Sequence, residues 1–164
     1  MFDPSDPRFD EMMELASRAT GTGLFDRERP RWRELCGQLL GDLTAQGDSQ
    51  MERRQQLRAP SNFEVHLLAP EGMPALVASS IGAGGVRLQL EESALDSEPL
   101  PVGTDVELSI SIDRKRVPLL ARGKVVYVLE GGEVGVSFID LIQSDRELLE
   151  GIAVQTLLAS APAQ

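Results

Sequence analysis

Val-Glu-Leu-Ser-Ile-Ser-Ile, residues 106–112, alternates apolar and polar side chains for seven positions. In an extended chain Val106, Leu108, Ile110 and Ile112 share one side, and Glu107, Ser109 and Ser111 share the other. A period of two with β-branched residues is the pattern of a half-buried strand. The same period runs through 62–69, where Phe63, Val65 and Leu67 alternate with Glu64, His66 and Leu68. Further strands are expected at 76–81, 86–90, 119–129 and 133–140. The breaks between them are turn chemistry: Pro70-Glu-Gly-Met-Pro74, Gly82-Ala-Gly-Gly85, Asp113-Arg-Lys-Arg116 and Glu130-Gly-Gly132. The loop 91–103 is acidic and contains proline. Six or so short antiparallel strands joined this way predict a small barrel or sandwich.

Helical patterns flank the strands. Ser144-Asp-Arg-Glu147 has the form of a capping box. It opens a helix whose buried side is expected to be Leu148, Leu149, Ile152, Ala153, Thr156 and Leu157, set to cover a barrel opening. At the other end, Asp6 caps a helix with Pro7 at its first position. Phe9, Met12, Met13 and Ala16 recur along it, and Gly21-Thr-Gly23 ends it. Pro30 opens a second helix with a cleaner stripe: Trp32, Leu35, Cys36, Leu39, Leu40 and Leu43. Gly37 and Gly41 lower helix propensity, so their retention suggests a close backbone approach. The expected organisation is a helical extension at 1–48, a barrel domain with its C-terminal helix at 49–158, and a tail at 159–164. Helices this short are marginal alone, so the stripe must be covered. Its own barrel is one candidate; a protein partner or a second copy of the chain is the other.

Composition narrows the function. Of 164 residues 41% are apolar, ordinary for a globular protein. No apolar run approaches the roughly 18–20 residues that span a bilayer, and Met-Phe-Asp-Pro-Ser-Asp-Pro lacks the regions of a signal peptide. No membrane insertion is expected. Cys36 is the one cysteine, which leaves no intrachain disulfide and fits a reducing cytoplasm. The net charge of −10 disfavours nucleic acid as a partner, since phosphate contacts need a basic face. Catalytic and metal-binding residues are read as none. His66 has no Cys or carboxylate at ligand spacing, and neither a nucleophile elbow nor a phosphate loop occurs. Asp140, Asp145 and Glu147 read as a strand end and a helix cap. An enzyme is not expected.

One cluster stands out against the acidic background. Arg53-Arg-Gln-Gln-Leu-Arg58 is a cationic hinge leading into a strand, and Ala78-Ser-Ser-Ile-Gly-Ala-Gly-Gly-Val-Arg-Leu88 is a strand, a small-residue turn and a strand. The default reading of the arginines is a solvated charge run, and that of the glycines a tight turn. Guanidinium forks, however, pair with phosphate and stack on bases, and glycines let a ligand approach bare backbone.

These two stretches resemble the signature motifs of the PilZ domain, a bacterial receptor for cyclic di-GMP. The first motif, Arg-x-x-x-Arg, is intact as Arg54 and Arg58, with Arg53 beside them. In the second, Asp/Asn-x-Ser-x-x-Gly, Ser80 replaces the Asp or Asn, Gly82 replaces the Ser, and Gly85 matches. Ala-Arg-Gly-Lys-Val-Val at 121–126 and Gly-Val-Ser-Phe-Ile-Asp-Leu at 135–141 extend the similarity, which covers roughly 51–158. The resemblance implies a mainly β fold, a six-stranded antiparallel barrel with a C-terminal helix, here preceded by a helical hairpin. It also implies that the arginine segment closes over a ligand. The implied ligand site is Arg53, Arg54, Arg58, Ser80, Gly82 and Gly85, with cyclic di-GMP as ligand and no cofactor. The alternative is an adaptor with a decayed motif in the same signalling or motility setting, acting through protein contacts.

Overall fold

A computed structural model describes residues 3–45, 57–69, 76–90, 100–113 and 116–159. Its elements are α1 (Pro7–Thr20), α2 (Arg29–Ala45), β1 (Arg58–Ala69), β2 (Leu76–Gly82), β3 (Gly85–Gln89), β4 (Asp105–Ser111), β5 (Leu119–Val128), β6 (Glu133–Asp140) and α3 (Gln143–Ala159). They form two compact units, one of residues 60–142 and one of residues 1–59 with 143–164. The linker at 46–56, with its boundary at 48/49, and the turn at 70–74 lie outside the described residues.

The unit of residues 60–142 is the expected barrel. Its strands close in the order β1-β2-β3-β6-β5-β4, all pairings between β2 and β4 through β3, β6 and β5 being antiparallel. The alternation at 106–112 does what its period demands: Val106, Leu108 and Ile110 are buried, while Glu107 faces out. Val65, Leu67, Leu76, Ile81, Val86, Leu88, Val125, Val134 and Val136 complete the interior. β5 and β6 are joined through Gly131 and Gly132, both at positive φ (88° and 90°). Two such residues in succession match the right-handed twist of a hairpin, a conformation that costs glycine nothing. Leu129 N–H donates to Glu133 O across it at 2.8 Å. β1 begins at Arg58, four residues before the alternation at 62 becomes visible. Leu57 and Ala59 are already buried around it, but the intervening Arg58 and Pro60 obscure the period.

The other unit is helical. Asp6 caps α1, its carboxylate accepting from Arg8 N–H at 2.9 Å, with Pro7 at the first position. The stripe of α2 is covered within this unit. Trp32, Leu35, Cys36 and Leu39 share one core with Met12, Leu15, Ala16 and Ala19 of α1 and Ala153, Val154 and Leu158 of α3. Leu40 and Leu43 are partly buried against it. The coverer is therefore two other helices of the same chain. Burial pushes the Cys36 thiol well above the usual range, in keeping with a small apolar packing role.

Three sequence expectations change in detail. The buried face of α3 is rotated from the one expected: Glu147, Gly151, Val154 and Leu158 lie on it with Leu149 and Ala153, whereas Leu148, Ile152, Thr156 and Leu157 are half-buried. Ser144 does not cap, since the helix starts at Gln143, and the Glu147 carboxylate is buried and turned to Arg29, whose Nε lies 2.9 Å and 3.2 Å from its oxygens. The close backbone approach is also elsewhere. A Cβ at Gly37 or Gly41 would meet nothing within 4 Å, whereas one at Gly151 would sit 2.9 Å from Thr20 Cγ2, 3.0 Å from Ala19 Cβ and 3.2 Å from Ala16 O. Gly151 is where α3 meets α1. Alanine is therefore expected to act oppositely at these sites. Gly37→Ala and Gly41→Ala should each stabilise by about 0.5–1 kcal/mol, through helix propensity alone. Gly151→Ala should destabilise by about 1–3 kcal/mol, the usual cost of overpacking. Thermal melts of the three variants check this.

Glu150 makes the helical unit sensitive to pH. It is half-buried one turn beyond Glu147, and its carboxyl is pushed up to about 7, first by burial and then by the Glu147 carboxylate; Arg146 and Arg33 pull the other way. Between its usual value near 4.5 and about 7 the folded protein holds a proton that the unfolded chain releases. Stability from this group is therefore full below about 4.5, falls as pH rises to about 7, and is level above. Denaturant unfolding at pH 5 and pH 8 should show that fall, and Glu150→Gln should flatten it while raising stability at pH 8.

Candidate functional site

The second motif occupies one outer corner of the barrel. In the β2–β3 hairpin Ile81 pairs with Val86 and both point inward, fully buried. The pairs on either side are Ser80 with Arg87, both half-buried, and Gly82 with Gly85, both buried. A register shift follows between Ala78 and Ser80, on the side away from the turn. Ala83 and Gly84 make the turn, and Gly84 O accepts from Phe138 N–H of β6 at 3.0 Å, which ties the turn to the next strand. Among the described residues positive φ occurs at Gly23, Gly103, Gly131 and Gly132, so Gly82 and Gly85 have ordinary strand backbone.

Ser80 Oγ is shut off from solvent and has no hydrogen-bond partner among the described residues. A buried hydroxyl left unpaired is costly and marks a place where a further group belongs. Its neighbour Ser79 is engaged, Oγ donating to Arg87 O at 3.3 Å.

Of the first motif, Arg58 is the opening residue of β1, half-buried and with partners of its own. Arg53 and Arg54 lie outside the described residues. Ser80, Gly82 and Gly85 thus stand together in the β2–β3 hairpin, and Arg58 opens β1.

Arg87, Tyr127 and Gly135 were not among the residues singled out from sequence. They continue the Ser80 row around the barrel, because Arg87 pairs with Gly135 of β6 and Gly135 with Tyr127 of β5. The Tyr127 ring lies over Gly135, where a Cβ would sit 2.1 Å from a ring carbon. Its hydroxyl accepts from Arg87 Nε at 3.1 Å, and Glu133 Oε1 is 3.6 Å from the same nitrogen. The signal was faint: an arginine two residues after Gly85 and a tyrosine eight before a Gly-Val strand, linked only by register.

His66 is exposed and its Nε2 meets Glu64 Oε1 at 2.7 Å on the outer face of β1. Among the described residues no three His, Cys, Asp or Glu side chains are placed to hold a metal ion. No helix among them is long and apolar enough to cross a membrane.

A family model for the PilZ domain matches residues 52–155, a span that takes in both motifs. Among curated protein sequences none matches the chain. Among solved structures, the Bacillus subtilis inhibitor of motility MotI/DgrA is similar with a TM-score of 0.58 at 17% identity, over 67% of this chain and 54% of that one. The chain thus spans little more than half the length of that protein. The PilZ domain with c-di-GMP of YcgR from Escherichia coli is similar with a TM-score of 0.48 at 14% identity, over 64% of this chain and 92% of that one. With the family model covering well over half of its residues and the closed six-stranded barrel beneath them, the chain belongs to the PilZ domain family.

Proposed function

We infer that this protein is a bacterial, cytoplasmic signalling module that binds cyclic di-GMP and passes the signal on through protein contacts. The observation that carries the reading is the intact Arg54-x-x-x-Arg58 pair inside the family match, with Arg58 at the start of β1. Two guanidinium forks give charge-assisted hydrogen bonds to phosphate, the strongest polar contacts available to an anionic dinucleotide. Support also comes from the β2–β3 corner, where buried Ser80 Oγ has no partner among the described residues and pairs in register beside Gly82 and Gly85. An enzyme is not proposed.

The affinity should be modest. Serine at position 80 lacks the two acceptor or amide positions of Asp or Asn, and glycine at 82 has no side chain. Each lost hydrogen bond costs about 0.5–1.5 kcal/mol, so the pair weakens binding by roughly one to two orders of magnitude. That same departure favours the second reading, an adaptor in a motility or related pathway that has stopped binding the ligand; the name of the Bacillus relative makes motility the setting to examine first. Any partner surface on the helical unit is proposed away from Trp32, Leu35, Cys36 and Leu39, because these are buried in its own core. Calorimetric titration of the purified protein with cyclic di-GMP separates the two readings. Saturable heat supports the receptor, and none at high ligand concentration leaves the adaptor.

A further inference from the structure

We propose that Arg87 reads the base edge of the ligand beside the second motif, donating from its two terminal nitrogens to the O6 and N7 acceptors of a guanine. The inference rests on the receptor reading above and concerns how that site tells bases apart.

Placement is the first ground. Register puts Arg87 directly across from Ser80, both half-buried, so a group seated at that pair comes beside the guanidinium. Tethering is the second. Arg87 Nε is held by Tyr127 OH at 3.1 Å, and the tyrosine ring is itself seated on Gly135. One edge of the fork is thereby fixed, while the two terminal nitrogens have no hydrogen-bond partner among the described residues. A guanidinium held by one edge loses little freedom when its other edge is used. The third ground is charge. Glu133 at 3.6 Å already offsets part of the positive charge, so the free donors suit neutral acceptors on a base better than a second phosphate clamp.

The chemistry also fits the departure at position 80. Asp or Asn there accepts the N–H groups of a guanine; Ser80 is too short to do so in two bonds. An arginine opposite cannot accept, but its planar fork matches O6 and N7, the commonest bidentate pairing of arginine with guanine. Recognition would thus reverse polarity, from accepting the base's protons to donating to its oxygen and nitrogen. Adenine presents an amino donor where guanine has O6, so the same fork disfavours it.

The test is calorimetric titration of the intact protein with cyclic di-GMP and, separately, with cyclic di-AMP, on wild type, Arg87→Ala and Arg87→Lys. Wild type should prefer the guanine dinucleotide. Arg87→Ala should weaken cyclic di-GMP about ten- to hundredfold, the worth of a good bidentate pair, and bring the guanine-over-adenine ratio toward one. Arg87→Lys keeps the charge and loses the fork. It should lose the ratio as well, and it serves if the alanine variant folds poorly. An unchanged ratio in Arg87→Lys, or unchanged cyclic di-GMP affinity in a folded Arg87→Ala, overturns this inference and leaves the receptor reading intact. No binding by wild type overturns both.

Discussion

Aspartate at both Leu35 and Leu39 is expected to unfold the three-helix unit and leave no altered oligomer behind. Leu35 is fully shielded from solvent and Leu39 nearly so, in a core built with Met12, Ala16 and Val154. Truncating a buried leucine to alanine already costs about 2–5 kcal/mol. Aspartate adds the penalty of a buried, unpaired carboxylate, several kcal/mol each unless it takes up a proton. Together these equal or exceed the roughly 5–15 kcal/mol that holds a typical domain folded. The far-UV helix signal should fall sharply and thermal melting lose its cooperativity at 20 °C or above. A variant that stays folded and changes only its mass in light scattering would instead make the stripe an interface between molecules.

That stripe shows where a sequence stops being informative. Periodicity identifies the side of α2 that must be buried, because a 3.6-residue repeat is a property of one helix. It does not identify the surface opposite, which here belongs to α1 and to a helix more than a hundred residues later. The barrel was more legible, since each strand carries its own alternation; β6 at Glu133–Asp140 and the start of β5 at Leu119 fall where the pattern puts them. Glycines divide the same way. Gly131 and Gly132 announce a hairpin locally, but the importance of Gly151 depends on Thr20 and Ala19 across the interface. Glu147 reads as a local cap and is spent on Arg29, 118 residues away.

The candidate site follows the same rule. Arg54, Arg58 and the second motif were visible because their spacing is short and their residue types unusual. Arg87 was hidden because its meaning lies in a cross-strand pair with Ser80. That pair follows only once Ala83 and Gly84 are known to make the turn, with Ile81 and Val86 the buried pair before it. Arg53 and Arg54 keep the standing the sequence gives them, as proposed phosphate ligands.

Arg54→Ala and Arg58→Ala should each abolish detectable binding of cyclic di-GMP. With Ser80 and Gly82 in the second motif, phosphate pairing by the first carries most of the affinity, and a lost charge-assisted contact is worth about 1.5–3 kcal/mol, roughly ten- to a hundredfold. Starting from a modest affinity, that takes binding below what calorimetry detects. Rising salt should weaken the wild type in the same direction, because these contacts are charge pairs near the surface. The complementary experiment adds what is missing. Gly82 has ordinary strand backbone, so Gly82→Ser introduces no strain from φ. Ser80→Asp is less simple, since the new carboxylate would stand directly across from Arg87 and could pair with it. With that pair formed, Ser80→Asp and Gly82→Ser should tighten binding by less than two new hydrogen bonds would give, and Arg87→Ala added to them should weaken binding less than it does in the wild type. Titrations of the double and triple variants, each with a ligand-free melt, measure that difference. If the double variant binds where the wild type does not, the natural protein is an adaptor that has lost its ligand. If alanine at both arginines leaves the wild-type affinity unchanged, the ligand is held by some other part of the chain.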